Sequence, residues 1–186
     1  MNNYYIPFLP MADINYLYLF SLYDIAEYNT ITSVFDTVKY KSQKALSNDL
    51  NISTATLTRI LKNEAYNGFF EANTKDKTIT LKNNFKGSKQ KQYVILTAKE
   101  VSLIRHKQDN LLAKYLIYIK YYCGFTKNNT DFTAKQFINA CGYSDKSNDL
   151  ISRISSYNKI LVDENLIKII KYRDKLGHER NKYIYL

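Results

Sequence analysis

Between Ser42 and Asn63 the chain reads SQKALSNDLNISTATLTRILKN, and this stretch limits the possible folds more than any other. It divides into two short amphipathic helical segments with a tight turn between them. A serine stands at the head of each, Ser42 and Ser53, where a hydroxyl can accept an orphan amide of the opening turn. Apolar residues recur at helical spacing. Ala45, Leu46 and Leu50 share one face of the first helix, expected to end near Leu50. Leu57, Ile60 and Leu61 share one face of the second, expected to end near Asn63. Ile52 lies in the turn and should plug the gap between the helices. This packing leaves Thr54, Ala55, Thr58, Arg59 and Lys62 on the outer face of the second helix.

Downstream the period changes. FFEANTKDKTITLKNNFKGSKQKQYVILT carries β-branched and aromatic residues in short runs, which predicts strands near 69–73, 78–84 and 92–96, with TKDK and KGSK as turns. Upstream, Ile14, Leu17, Leu22, Ile25 and Ala26 predict a buried helix over 13–28, followed by a loop or irregular crossing over 29–41. TAKE at 97–100 has the form of a capping box and opens a helix to about His106. KQDN breaks it. A further helix is expected from about Asp109 to Cys123, with Leu112, Tyr115, Leu116, Ile119 and Tyr122 on one face.

The last third repeats the logic. Thr133 should cap a short helix ending at Cys141, with Gly142 as its left-handed terminus. Phe137 and Ile138 would anchor that helix. A longer helix is expected from Ser147 to Val162, with Ile151, Ile154, Tyr157 and Leu161 inward and Ser147, Asn148, Ser152, Arg153, Ser156 and Lys159 outward. LIKIIKYRD, KLGHE and RNKYIYL read as strand, turn and strand. The order helix, helix, turn, helix, hairpin thus occurs twice. Tyr28 and Cys123 lie 25 and 24 residues before Ser53 and Ser147, a spacing that points to an internal duplication. The boundary is expected near Thr97, giving units 1–97 and 98–186.

Charge narrows the partner. The net charge is +10, but residues 1–38 hold no Lys or Arg and four acids, whereas 39–97 hold eleven cations against four acids and 98–186 sixteen against nine. A basic body behind an acidic segment points to a polyanion. The abundance of Tyr, Lys and Asn has the look of an A·T-rich coding sequence, so the lysine count is weaker evidence than its placement. No apolar run is long enough to span a membrane, and the first twenty residues lack the pattern of a secretory signal. A cytoplasmic protein is therefore expected, with Cys123 and Cys141 as reduced buried thiols. Neither GxxxxGK[ST] nor GxGxxG occurs, and His106 and His178 stand far apart without metal-ligand spacing. No cofactor, metal or enzymatic activity is expected.

The outer face of the second helix has the chemistry of a DNA reader. Short side chains near Ser53 let a helix approach base edges, Arg59 can bond a guanine through two donors, and Lys62 can neutralise phosphate. Lys75 and Lys77 in one turn, and Lys86, Lys89 and Lys91 beyond it, would let a hairpin grip the backbone. The corresponding set in the second half is Lys146, Ser147, Asn148, Ser152, Arg153 and Lys159 on the helix, with Arg173, Lys175, Arg180 and Lys182 in the hairpin.

The pattern L-x-I-S-x-x-T-L-x-R from Leu50 to Arg59 resembles the helix-turn-helix of many bacterial DNA-binding proteins. As a whole the chain resembles plasmid replication initiators and the replisome organisers of phages and related mobile elements. Cys141–Ser144 with Ser147 is similar to a short line that precedes their recognition helix. The resemblance implies an α+β, mainly α fold of two winged helix-turn-helix units in tandem, each with a β-hairpin wing. It implies sequence-specific binding of double-stranded DNA, often as a homodimer, in replication initiation or its control on a plasmid or phage-like element. Two other readings stay open. One is a transcriptional autorepressor. The other is a protein–protein adaptor, a replication or regulatory partner docking on Tyr4, Tyr5, Tyr16 and Tyr18; core packing of these tyrosines competes with that view.

Overall fold

The computed structural model describes residues 4–8, 11, 13–29, 34–82, 93–125 and 129–186. The fold is α+β, and the chain divides into two compact units, one of residues 1–9 and 14–109 and the other of residues 10–13 and 110–186. The division falls beyond the Thr97 boundary expected from sequence, because the helix after Thr97 buries Val101 and Ile104 and packs with the first unit.

In the first unit, β1 (Tyr4–Pro7) precedes α1 (Tyr16–Asp24). Asn15 caps α1 by accepting the Leu17 amide at 3.0 Å. The helix is shorter than the expected 13–28: the chain leaves it at Ile25 and enters β2 (Glu27–Asn29). Then comes β3 (Val34–Lys39), where a loop was expected. The reason is pairing, since β3 lies between β2 and a later strand and the ladder satisfies its backbone.

Next are α2 (Gln43–Asp49), α3 (Thr54–Lys62) and a 3-10 turn at Glu64–Tyr66. β4 (Phe70–Asn73) and β5 (Thr78–Leu81) form a hairpin in the register Phe70 to Leu81 through Asn73 to Thr78. The four-stranded sheet runs β2-β3-β5-β4. Helix and sheet close over Leu19, Phe20, Leu46, Leu57, Phe69 and Ile79, each at most 1% exposed. Tyr16 joins this core, edge-on to Phe69 at 5.9 Å. It is therefore no partner surface.

β6 (Tyr93–Leu96) pairs antiparallel with β1 and not with the β4–β5 hairpin. α4 (Ala98–Lys107) then opens on the expected capping box. The Thr97 amide donates to Glu100 Oε2 at 2.7 Å and the Glu100 amide to Thr97 Oγ1 at 3.3 Å. Asp24 joins α1 to its neighbours: it accepts from the Tyr4 hydroxyl at 2.8 Å and pairs with Arg105 on α4.

In the second unit, α5 (Asn110–Phe125) is buried without interruption from Leu111 to Ile119. This is a helix apolar nearly all round rather than one with a single apolar stripe. Tyr122, expected on the inner face, is 38% exposed. Lys114 is 1% exposed, with its ammonium 5.3 Å from the centre of the Tyr143 ring, and burial lowers its pKa. β7 (Asn129–Asp131), α6 (Ala134–Ala140) and α7 (Asn148–Asp163) follow. β8 (Ile167–Arg173) and β9 (Glu179–Tyr185) complete a sheet of order β7-β9-β8.

Aromatic residues dominate this second core. Tyr115 stands 4.9 Å from Phe137, Phe132 stacks on Tyr183 at 4.5 Å, and the Tyr115 hydroxyl donates to Asn158 Oδ1 at 2.6 Å. Cys123 and Cys141 are free and buried, and burial pushes the Cys141 thiol up to about 12. Among the described residues no helix is long and apolar enough to cross a membrane.

Candidate nucleic-acid interface

The α2–α3 pair is positioned by its ends. Ser42 Oγ accepts the Ala45 amide at 3.1 Å, and Ser53 Oγ accepts the Thr56 amide at 3.0 Å. Between them, Asn51 takes the left-handed conformation at φ 53°. Its amide donates to the Asn48 carbonyl and the Ile52 amide to the Ser47 carbonyl, both at 2.9 Å. This is a Schellman motif, which ends α2 and turns the chain at once into α3. Leu46, Leu57 and Ile60 then bury the inner seam, while Leu61 and Ile52 are half-buried.

The outer face of α3 is nearly as expected. Ala55, Arg59 and Lys62 are exposed, and neither cation has a carboxylate partner among the described residues. Thr54 is exposed as expected, and Thr58 is half-buried. The Thr54 hydroxyl sits 3.2 Å from Ser47 Oγ, and the Thr58 hydroxyl donates to the Thr54 carbonyl at 2.9 Å. They brace the turn and the helix, since a short hydroxyl satisfies nearby backbone when it can. The free donors of this face are Arg59 and Lys62. At the β4–β5 tip, Asn73 Oδ1 accepts the Lys75 and Asp76 amides, each at 3.1 Å. Lys77 adopts φ 52°, and both Lys75 and Lys77 are exposed. Lys86, Lys89 and Lys91 lie outside the described residues.

The second unit repeats the device. Gly142 has φ 77°. Its amide donates to the Asn139 carbonyl at 2.9 Å and the Tyr143 amide to the Ile138 carbonyl at 3.1 Å, the bonds Asn51 and Ile52 make. α6 has a capping box absent from the sequence expectations, Thr133 with Gln136. Ser147 caps α7 by accepting the Leu150 amide at 3.4 Å. Lys146, Asn148, Ser152, Ser156 and Lys159 are exposed, and Ser152 Oγ donates back to the Asn148 carbonyl at 3.0 Å. Arg153 departs from the expected outer face: it is half-buried, its guanidinium 5.7 Å from the centre of the Tyr157 ring.

The β8–β9 hairpin is organised around Asp174. That carboxylate accepts the Leu176 amide at 2.9 Å, the His178 amide at 3.0 Å and Arg180 Nε at 2.9 Å. Arg180 and these amides hold its pKa down at about 2. Arg180 is thus committed in part to the hairpin, while Arg173 and Lys175 are exposed near its tip and Lys182 is half-buried. Among the described residues no group of three His, Cys, Asp or Glu gathers as metal ligands. Each unit therefore offers a helix face and a hairpin tip carrying cations. No protein-family model matches the chain, nor does any curated protein or solved structure.

Proposed function

We propose that the chain is a sequence-specific double-stranded DNA-binding protein built of two winged-helix units, acting in replication initiation or its control on a mobile element. One observation carries the reading. In both units a helix, a strand, two helices joined by a Schellman turn and a hairpin follow in the same order, the first unit adding β2 before β3 and a 3-10 turn after α3. The elements are α1, β3, α2, α3, β4, β5 and then α5, β7, α6, α7, β8, β9. The sheets also match, β3-β5-β4 against β7-β9-β8, with the last strand in the middle. In this reading α3 and α7 are the recognition helices and the two hairpins the wings. Arg59 and Lys62 would grip one site, and Asn148, Ser152 and Lys159 a neighbouring one.

The test is fluorescence anisotropy on the chain's own upstream DNA and on a scrambled duplex, at low and at physiological salt. Specific binding should exceed non-specific binding by about 10³-fold or more at physiological salt. Equal binding that vanishes as salt rises would mean that only phosphates are felt, and the reading would fall. Footprints over repeated sites together with an effect on copy number would mark an initiator; control of its own promoter alone would mark an autorepressor.

A further inference from the structure

Strand β8 is a sheet edge. It has β9 on one side and, among the described residues, no strand on the other. The Leu186 amide donates to the Leu166 carbonyl at 3.1 Å, and the Asp174 amide to the His178 carbonyl at 3.0 Å. Bonded pairs alternate along an antiparallel ladder. Even-numbered residues between these two points therefore bond to β9. The amides and carbonyls of Ile167, Ile169, Lys171 and Arg173 turn outward, toward the open side.

Beside this edge lies a groove of about 1080 Å³ between β8 and α7. Ile151, Asn158 and Val162 line it from α7, and Ile169 and Lys171 line it from β8. Val162 is 41% exposed, and Leu186 at the groove's end is 63% exposed. These α7 positions flank the Asn148–Ser152–Ser156 face, and Lys159 lies at the border of the two. The groove's charged lining is Lys159, Lys168, Lys171 and Arg180 against Asp163 and Glu179, an excess of cations.

We propose that the β8 edge docks an extended acidic segment of a partner protein. The segment adds as a fourth strand, bonds to the outward amides and carbonyls, and sets alternate apolar side chains against Ile169 and Val162. Its carboxylates fall on the other face of the added strand, the face that Lys168 occupies on β8. A second copy of β8 suits the edge badly, since it would gather a second Lys168, Lys171 and Arg173 beside the first set. Duplex DNA suits it badly too: phosphates offer no N–H to the outward carbonyls and gain nothing from the apolar floor.

The probe is a fluorescein-labelled peptide of alternating valine and glutamate, tested by anisotropy on the full chain. Controls carry lysine for glutamate or a central proline. The acidic peptide should bind, and both controls should bind at least about tenfold more weakly. Lys171→Pro removes one outward amide and leaves the β9 ladder whole, so it should cost about tenfold where Lys171→Thr costs little. A joint Lys168→Glu, Lys171→Glu variant should prefer the lysine peptide, which tests the idea even if the proline variant does not fold. Undiminished binding of the proline-broken peptide, or no binding of the acidic peptide, would overturn the proposal. So would displacement by duplex DNA with an equal loss of DNA affinity in Lys171→Pro, which would assign the edge to nucleic acid.

Discussion

The Ser47 and Thr54 hydroxyls meet at 3.2 Å across the turn between α2 and α3. Ser47 is only 2% exposed and also donates to the Lys44 carbonyl. The Thr54 side chain, sitting at the head of the proposed recognition helix, is therefore spent on structure. Ser47→Ala and Thr54→Val should each cost about 0.5–1.5 kcal/mol by urea denaturation, and the double variant less than their sum. Thr54→Val should leave base preference unchanged in a binding-site selection. A shift in preference would return Thr54 to the reading face.

Arg59 and Arg153 should part company. Arg59 is exposed on the outer face of α3, so Arg59→Ala should weaken specific DNA binding by about 1–3 kcal/mol and relax preference at one base pair. Arg153 rests over the Tyr157 ring. Arg153→Ala should instead lower stability by about 0.5–1 kcal/mol, with little change in base preference. Anisotropy and a thermal melt on both variants separate the two effects.

The α2–α3 helices were legible in the sequence because their signals are local. Serine caps, apolar residues at three and four spacing and a polar residue tolerant of positive φ all lie within one short window. What stayed hidden depends on distant partners. β3 sits in TITSVFDTV, a β-branched run, yet only its pairing with β2 and β5 makes it a strand. β6 looked like part of the hairpin and pairs instead with β1. Arg153 looked exposed from its helical position because the reach of a guanidinium back to Tyr157 is a matter of rotamer.

Asn51 and Gly142 should respond differently to the same replacement chemistry. Both hold the left-handed position that ends the first helix of the pair, at φ 53° and 77°. Asn51→Gly should be nearly neutral. Gly142→Ala should cost about 1–2 kcal/mol, because it adds a Cβ that crowds the following carbonyl, and Asn51→Ala less, because Asn51 already carries a Cβ and loses only its short polar group. Chemical denaturation of the three variants gives the comparison.

Asp174 should make the second hairpin acid-sensitive. Its pKa falls from 3.8 to about 2, first because Arg180 bonds the carboxylate. A carboxyl held low when folded favours the folded form above its ordinary value and loses that contribution as pH drops through the lowered one. The hairpin tip should therefore loosen as pH falls from 3.8 toward 2, seen as faster amide exchange at Leu176 and His178. Asp174→Asn should show the loosened tip at neutral pH and no change across that interval.

In the second unit's sheet the middle strand is the last to be synthesised, β9 between β7 and β8. This nascent unit therefore cannot extend its sheet one neighbour at a time as it leaves the ribosome. Its helices and first two strands must wait, apolar faces uncovered, until the final strand arrives and joins both sides at once. Pausing during translation between Arg173 and Glu179 would prolong that exposed interval, and chaperone dependence should rise with it.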